Sequence, residues 1–382
     1  MRLKDIGTIV TGNTPSKKNN EYYESNDILF IKPSDIEENY ITSLDNSEEY
    51  ISEKARKTAR ILPEGAVLVT CIGTIGKVGI LKKEASCNQQ INAIIPNDKV
   101  ISKYLAYLIQ SKQKILQSKA NAPVVPIINK TAFSEIEINI CDKDNQEKIV
   151  KQLDLLKAII DKRKEQIEEL QNIIKSQFVE MFGDPNIVKS NEKTELKTIM
   201  INANNGMARR GNDSDGSIVL RLIELQRNYI DYSNVNKIIL KDNEKKKYLL
   251  EEGDILFARV NGNPDNVGRC AYYKDIGEEV YHNDHIIRVK FDLHKINPIY
   301  LCTLLNDEYG RKEFKNKIKT SAGQYTISQD GIEKVKIPLP QIELQNKFAE
   351  FVNEIDKQKF EIENSLKEMQ GLYESLMEKY FG

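Results

Sequence analysis

His282, His285 and His294 are the only three histidines in this 382-residue chain. His282-x-x-His285, with Asp284 between them, is the one spacing that could hold a metal. The surrounding pattern is that of a strand, which would point the two imidazoles to opposite faces, so no metal site is expected. Gly73-Thr74-Ile75-Gly76-Lys77-Val78-Gly79 has glycines that could bring backbone amides close to a phosphate. A P-loop needs G-x-x-x-x-G-K-[ST], whereas here Val78 follows Gly76-Lys77 and Cys71 stands at the first glycine position. The glycine spacing of three also fails the dinucleotide fingerprint, and no clear strand-to-helix unit surrounds it. Pairs such as Glu195-Leu196-Lys197 could suggest a nuclease carboxylate set, but a chain that is 30% charged produces them by chance. No two prolines are consecutive, so the Asn/Asp-Pro-Pro-aromatic loop of amino-methyltransferases is absent, and Asn263-Pro264-Asp265-Asn266 does not replace it. These residues predict a protein that binds, with no catalytic residue and no metal.

What it would bind is suggested by loops of one flavour. They are Thr11 to Lys18, Lys32-Pro33-Ser34 and Gly73 to Lys77 in the first half. In the second half they are Met207 to Asn212, Arg259 to Asn263 and Ser321 to Tyr325. Arg, Lys, Asn, Gln, Ser and Thr are the side chains that contact phosphates and base edges. Loops are polar and Gly-rich by default, but the recurrence at similar places in both halves favours DNA. Lys17, Lys18, Arg209 and Arg210 are the candidate phosphate contacts. Arg221, Arg227, Arg259, Asn261, Gln324 and Tyr325 are candidates for base or backbone contacts, and Thr14, Lys32, Ser34, Lys77 and Arg269 complete the set. A net charge of −1 argues against a binder that is basic all over. Local field, rather than the sum, steers a polyanion.

These loops hang on short extended runs: Asp27 to Ile31, Ala66 to Cys71 and Gln90 to Ile95, then Ile218 to Arg221, Asp254 to Val260 and His285 to Val289. Helices are expected over Ser102 to Ala120 and Pro298 to Lys319. The globular parts are therefore α+β with a curved sheet. Five scattered cysteines, none in a C-x-x-C pair, indicate neither a disulfide framework nor a thiolate zinc site. No apolar run approaches the roughly 18 residues of a membrane span and no signal peptide pattern appears, so a cytoplasmic protein is expected.

The chain also repeats itself. Ser176-Gln177-Phe178-Val179-Glu180-Met181-Phe182-Gly183 is echoed 199 residues later (375 − 176) by Ser375-Leu376-Met377-Glu378-Lys379-Tyr380-Phe381-Gly382. Two heptad stretches share that offset. One runs Ile149, Leu153, Leu156, Ile160, Arg163, Ile167, Leu170, Ile174, Gln177, Met181. The other runs Phe348, Val352, Ile355, Lys359, Ile362, Leu366, Met369, Tyr373, Leu376, Tyr380. Alternating steps of four and three make a coiled-coil seam, with Arg163 and Lys359 snorkelling to water. A helix of about 38 residues is on the order of 57 Å long, too long to hide within one globular unit. Connectivity requires the second helix to run back along the first. The expected architecture is two α/β units at opposite ends of an intramolecular antiparallel coiled coil, with pseudo-twofold repeat. Its segments are 1–142 and 184–340 for the globular units, 143–183 and 341–382 for the helices. The same heptads could instead join two copies of the chain. Apolar outer positions such as Leu155, Ile159, Ile173, Phe351 and Leu372 suggest a need for partners.

The ordered set of motifs resembles the specificity (S) subunit of type I restriction-modification systems over essentially the full chain. It is carried by Gly12-Asn13-Thr14-Pro15-Ser16, Phe30-Ile31-Lys32-Pro33-Ser34-Asp35, Leu62-Pro63-Glu64-Gly65, Gly73 to Lys77 with Cys87-Asn88-Gln89-Gln90, and Asn145 to Val150. In the second half Glu251 to Leu256, Val267-Gly268-Arg269 and Ile337-Pro338-Leu339-Pro340 to Gln345 play the same parts. The first half lacks a Pro-Leu-Pro before its helix, and the second lacks a clear Gly-Thr-Pro-Ser. The resemblance implies two target-recognition domains, each reading one half of a bipartite, asymmetric DNA sequence, with the helix pair as a ruler that docks two methyltransferase subunits. Restriction subunits would add to that core. S-adenosylmethionine, ATP and Mg would belong to those partners, leaving this chain without a cofactor. The competing readings are a coiled-coil scaffold for proteins, which would not be retained on DNA, and an enzyme with its own methyltransferase, which would bind S-adenosylmethionine.

Overall fold

The computed structural model describes residues 1–120, 126–321 and 323–382. The chain divides into two compact units, Met1–Glu165 with Glu363–Gly382, and Gln166–Ile362.

In the first unit, β1 (Gly7–Thr11), β2 (Ile28–Ile31), β3 (Ile41–Leu44), β4 (Tyr50–Ile51), β5 (Val67–Thr70), β6 (Val78–Leu81), β7 (Ala85–Cys87) and β8 (Ile91–Pro96) precede α1 (Ser102–Ser111), α2 (Gln113–Ser118), α3 (Lys130–Ser134) and the long α4 (Lys143–Phe182). A five-stranded sheet of order β1-β8-β5-β6-β3 lies beside a three-stranded sheet, β4-β2-β7. Val67, Val69, Ile80 and Ile94 pack on Leu105, Leu108 and Ile109 of α1. Leu68, Leu81 and Ala93 pack on Leu29, Ile31, Ala85 and Cys87. Alternate residues of one strand thus feed opposite cores, which is why β5 reads as a continuous apolar run. The helix expected over Ser102 to Ala120 is two helices instead. Lys112 leaves helical geometry at φ −90°, ψ 9°, and its ammonium donates to the carbonyl of Phe381.

The second unit contains β9 (Thr194–Glu195), β10 (Met200–Asn205), β11 (Ser217–Leu220), β12 (Lys237–Ile238), α5 (Asp242–Tyr248), β13 (Ile255–Ala258), β14 (Val260–Asn261), β15 (Cys270–Tyr272), β16 (Val280–His282) and β17 (Ile286–Phe291). After these come α6 (Pro298–Asn306), α7 (Glu308–Lys315), β18 (Lys319–Ser321), β19 (Gln324–Thr326), α8 (Gln329–Glu333), β20 (Lys336–Ile337) and α9 (Ile342–Phe381). Here too the expected helix, Pro298 to Lys319, is broken: Asp307 is extended at φ −80°, ψ 176°, and Lys319 opens a strand. The strand pairing repeats that of the first unit. Parallel β2–β7 puts Ile31 beside Cys87, as parallel β11–β16 puts Leu220 beside His282. Antiparallel β5–β8 puts Val67 beside Ile94, as β13–β17 puts Ile255 beside Val289.

Along α4 and α9 every position of the two heptad seams is buried or half-buried, whereas Leu155, Ile173 and Leu372 are exposed. In the first unit Tyr380 hydroxyl donates to Gln152 Oε1 at 2.7 Å, and Phe381 joins the core with Ile149 and Leu153. In the second unit Phe178 and Phe182 at the end of α4 meet Phe348 near the start of α9, with ring centroids 5.4 and 5.5 Å away. Start beside end and end beside start is the contact pattern of an antiparallel pair. No helix among the described residues is long and apolar enough to cross a membrane.

Candidate nucleic-acid interface

In the first unit, the carboxyl ends of β1, β2, β5 and β7 lie at one edge. Gly12 N–H donates to the Ile91 carbonyl at 3.0 Å, Asn13 N–H to Cys87 at 2.9 Å and Asn88 N–H to Ile31 at 3.0 Å. Thr14 Oγ1 donates to Gln89 Oε1 at 2.7 Å. Arg60, which the sequence did not single out, donates to the Thr11 carbonyl at 2.6 Å. A Cβ on Gly12 would fall 2.1 Å from the Asn88 carbonyl oxygen, so only glycine fits there.

The second unit builds the same edge. Gly206 N–H donates to Ile286 at 3.2 Å, Met207 N–H to His282 at 3.0 Å and Asn283 N–H to Leu220 at 2.9 Å. A Cβ on Gly206 would fall 2.2 Å from the Asn283 carbonyl oxygen. Gly206 is therefore the counterpart of Gly12, and Met207 to Asn212 stands in the place of the Asn13-Thr14-Pro15-Ser16 loop. The sequence already marks Met207 to Asn212 as a loop of this kind; what it did not single out is Gly206, which the asparagine-glycine pair Asn205-Gly206 signals.

The cations at these edges fall into two groups. Lys17, Lys18 and Thr14 are exposed, and among the described residues neither lysine forms an ion pair. Arg210, also exposed, donates to Asp284 Oδ1 at 2.6 Å and lies 3.3 Å from His285 Nε2. Arg259 donates to the Asp284 carbonyl at 3.0 Å. Arg210 and Arg259, far apart in sequence, thus meet at the Asn283-Asp284-His285 loop between β16 and β17. Asn261 pairs with Tyr325 across β14 and β19, and Gln324 is exposed at the tip beside them. Ala322 of that loop lies outside the described residues.

The second group is held internally. Lys32 pairs with Glu49, and exposed Ser34 donates to Glu48 at 3.3 Å. Lys77 Nζ donates to the carbonyls of Pro33 and Ile36 at 3.1 and 2.9 Å. Arg269 Nη2 does the equivalent in the second unit, donating to Leu222 at 2.8 Å. The turns these cations hold are alike: Lys32 N–H donates to Asp35 at 2.7 Å and Arg221 N–H to Glu224 at 2.6 Å. Arg221 also forms an ion pair with Glu224, whose side chain is only 3% exposed. Arg209 binds Glu244 and the Ile239 carbonyl, and that guanidinium pulls the Glu244 carboxyl down to about 2. Arg227 stands outside this second group: it is exposed, and it donates to the Asp265 carbonyl at 3.1 Å.

His282 is fully buried. Nδ1 lies 3.2 Å from the Tyr248 carbonyl and Nε2 3.1 Å from Asn204 Oδ1. Burial, with the Arg288 cation adding to it, lowers its pKa to about 4. No cluster of three His, Cys, Asp or Glu suited to a metal occurs among the described residues.

Residues 1–172 and 186–369 match the family model of the type I restriction modification DNA specificity domain. The type I restriction enzyme StySPI specificity subunit of Salmonella potsdam is 27% identical over 407 residues, covering 99% of this chain and 87% of that protein. The EcoKI specificity subunit of Escherichia coli K12 is 24% identical, with the same coverage. The crystal structure of the type I restriction-modification S subunit from M. genitalium superimposes with a TM-score of 0.59 at 15% identity, over 100% of this chain and 95% of that one. Two matched recognition folds, each with the same loop edge and a share of the helix pair, sit in a chain that the family model spans almost completely. The chain belongs to the type I restriction-modification DNA specificity family.

Proposed function

We propose that this chain addresses a type I complex to a bipartite, asymmetric DNA target, each recognition unit reading one half-site. The observation that carries this reading is the matched loop edge with unmatched side chains. Gly12 and Gly206 make the same backbone approach, yet the next four residues are Asn13-Thr14-Pro15-Ser16 in one unit and Met207-Ala208-Arg209-Arg210 in the other. Equal scaffolds deliver different donors and acceptors, so the half-sites differ in sequence. The recognition domains are 1–142 and 184–340. The helices, 143–183 and 341–382, set the spacing and dock two methyltransferase subunits, and restriction subunits join that core in the cytoplasm. Methyl transfer from S-adenosylmethionine and ATP- and Mg-dependent cleavage belong to the partners, and this chain is not itself an enzyme.

The test is a genome-wide map of methylated adenines in the host with and without the gene. Loss of one bipartite, asymmetric motif is the expected outcome and reveals both half-sites together. An unchanged map in a strain that expresses the assembled complex overturns the reading.

A further inference from the structure

The second unit contains an arginine cluster with no counterpart in the first. Arg269 follows Gly268, which needs its φ of +75° and packs against Phe314 of α7. Asn228 N–H donates to the Cys270 carbonyl at 2.9 Å, which draws the Arg227 loop to the same strand. Arg311 of α7 donates to the Val267 carbonyl at 2.6 Å, and Arg227 to that of Asp265, in the same short turn. Two guanidiniums therefore hold residues 264–267 beside Arg269, whose own Nη2 reaches to the Leu222 carbonyl. Among the described residues, none of them has a carboxylate within ion-pair distance. Nε of Arg269 and both Nε and Nη1 of Arg311 are buried without any acceptor. Burial and the neighbouring Arg227 charge lower the pKa of both Arg269 and Arg311.

The fold does not require this concentration of charge. In the first unit one cation, Lys77, holds the matched turn through carbonyls, as Arg269 does in the second. Counting on from those turns, Glu38 stands where Arg227 stands, and α2, which follows α1 as α7 follows α6, carries no arginine. Arg227 and Arg311 are thus additions to a structural device that already works with one cation. The unpaired N–H groups of Arg269 and Arg311 are buried, so the group open to solvent is the exposed Arg227 guanidinium, crowded by the two like charges beside it; such a fork suits phosphate oxygens.

We propose that Arg227, with the charges of Arg269 and Arg311 beside it, binds a backbone phosphate of the DNA, as an anchor that only the second recognition unit possesses. This rests on the DNA-reading function proposed above and adds a phosphodiester subsite to it. Such a contact positions the duplex without reading sequence.

The test is equilibrium binding of target and non-target duplexes by the assembled complex over a range of salt, comparing the native chain with Arg227→Gln and Arg311→Lys. Arg227 is exposed and its bond is to the carbonyl of exposed Asp265, and Arg311→Lys keeps the charge but loses the fork. Arg227→Gln is expected to weaken both duplexes by the same factor, roughly tenfold, and to reduce the salt slope by about 0.9, the value of one phosphate. Arg311→Lys should weaken both duplexes by a lesser common factor. Methylphosphonate substitution at one phosphate of a half-site should weaken the native complex and leave Arg227→Gln indifferent. Unchanged affinity and slope in both variants, while the native complex binds DNA, overturns the phosphate site alone. So does a loss confined to the target duplex, which would make these arginines base readers. Failure of the native complex to bind any duplex overturns the DNA-reading function itself.

Discussion

Gln146 and Gln345 are the same residue in two copies of one device, 199 positions apart (345 − 146). Each is fully buried at the start of a long helix. Gln146 accepts from Ile101 N–H at 2.9 Å and donates to the carbonyls of Lys99 and Cys141 at 3.0 and 2.8 Å. Gln345 accepts from Asn297 N–H at 2.8 Å and donates to Lys295 and Pro340 at 3.1 and 2.7 Å. One primary amide satisfies the backbone on both sides of the junction between helix and globular unit. No apolar or charged side chain of that size offers one acceptor and two donors in that arrangement.

Gln146→Leu should therefore destabilise the first unit by roughly 3–5 kcal/mol, because three hydrogen bonds vanish and three backbone groups stay buried without partners. Gln345→Leu should do the same to the second. Hydrogen exchange read by mass spectrometry checks this: each substitution should lower protection in its own unit's strands and leave the other unit's strands unchanged.

His282 makes the second unit sensitive to mild acid. Its folded pKa of about 4 lies below the ordinary 6.5, so between those values the unfolded chain binds a proton that the folded chain does not. Stability is fully present above pH 6.5 and falls as the pH drops toward 4, by about 3 kcal/mol. The first unit has Cys87 at the equivalent strand position, and burial pushes that thiol up to about 12, far from this window. Chemical denaturation of the native chain and of His282→Gln at pH 7 and pH 4.5 measures the difference. The variant should lose the part of the pH dependence that belongs to the second unit.

Glu244 restrains Arg209. The pair is exposed on the arginine side and lies at the loop that replaces Asn13-Thr14-Pro15-Ser16. Glu244→Gln removes the charge that holds the guanidinium and should release Arg209 toward the polyanion. The expected result is tighter binding to all duplexes, a steeper salt dependence and an unchanged methylation motif. Filter binding at two salt concentrations checks it. Equal affinity in the variant would show that Arg209 is a structural residue of this loop.

The helices and the repeat were legible because heptad spacing and a fixed offset need only local pattern and length. The strands were legible because runs such as Val67 to Thr70 are apolar on both faces. The helix breaks at Lys112 and Asp307 were not, since neither residue is a glycine or proline and tertiary packing decides both. Which cations face solvent was equally hidden. Lys17 and Lys77 are indistinguishable in a sequence, yet Lys77 is held by carbonyls 44 and 41 residues away in the chain. Lys17 is exposed, with no ion pair among the described residues. Arg311 escaped notice because it lies on a helix rather than in a loop.

Gly206 offers the most direct test that two recognition edges act separately. Its missing Cβ would sit 2.2 Å from the Asn283 oxygen and 2.4 Å from that of His282, both backbone atoms fixed by β16 and unable to swing aside. Gly206→Ala must push the Met207 to Asn212 loop outward, at a cost of about 1–3 kcal/mol, and carry Arg209 and Arg210 with it. Gly12→Ala meets the Asn88 oxygen at 2.1 Å and should shift the Lys17 and Lys18 loop in the same way. Each substitution should therefore relax or abolish one half of the methylated motif and leave the other half intact. Sequencing the methylated sites in strains that carry each variant reads both halves at once. Identical damage from the two substitutions would mean that the edges do not read separate half-sites.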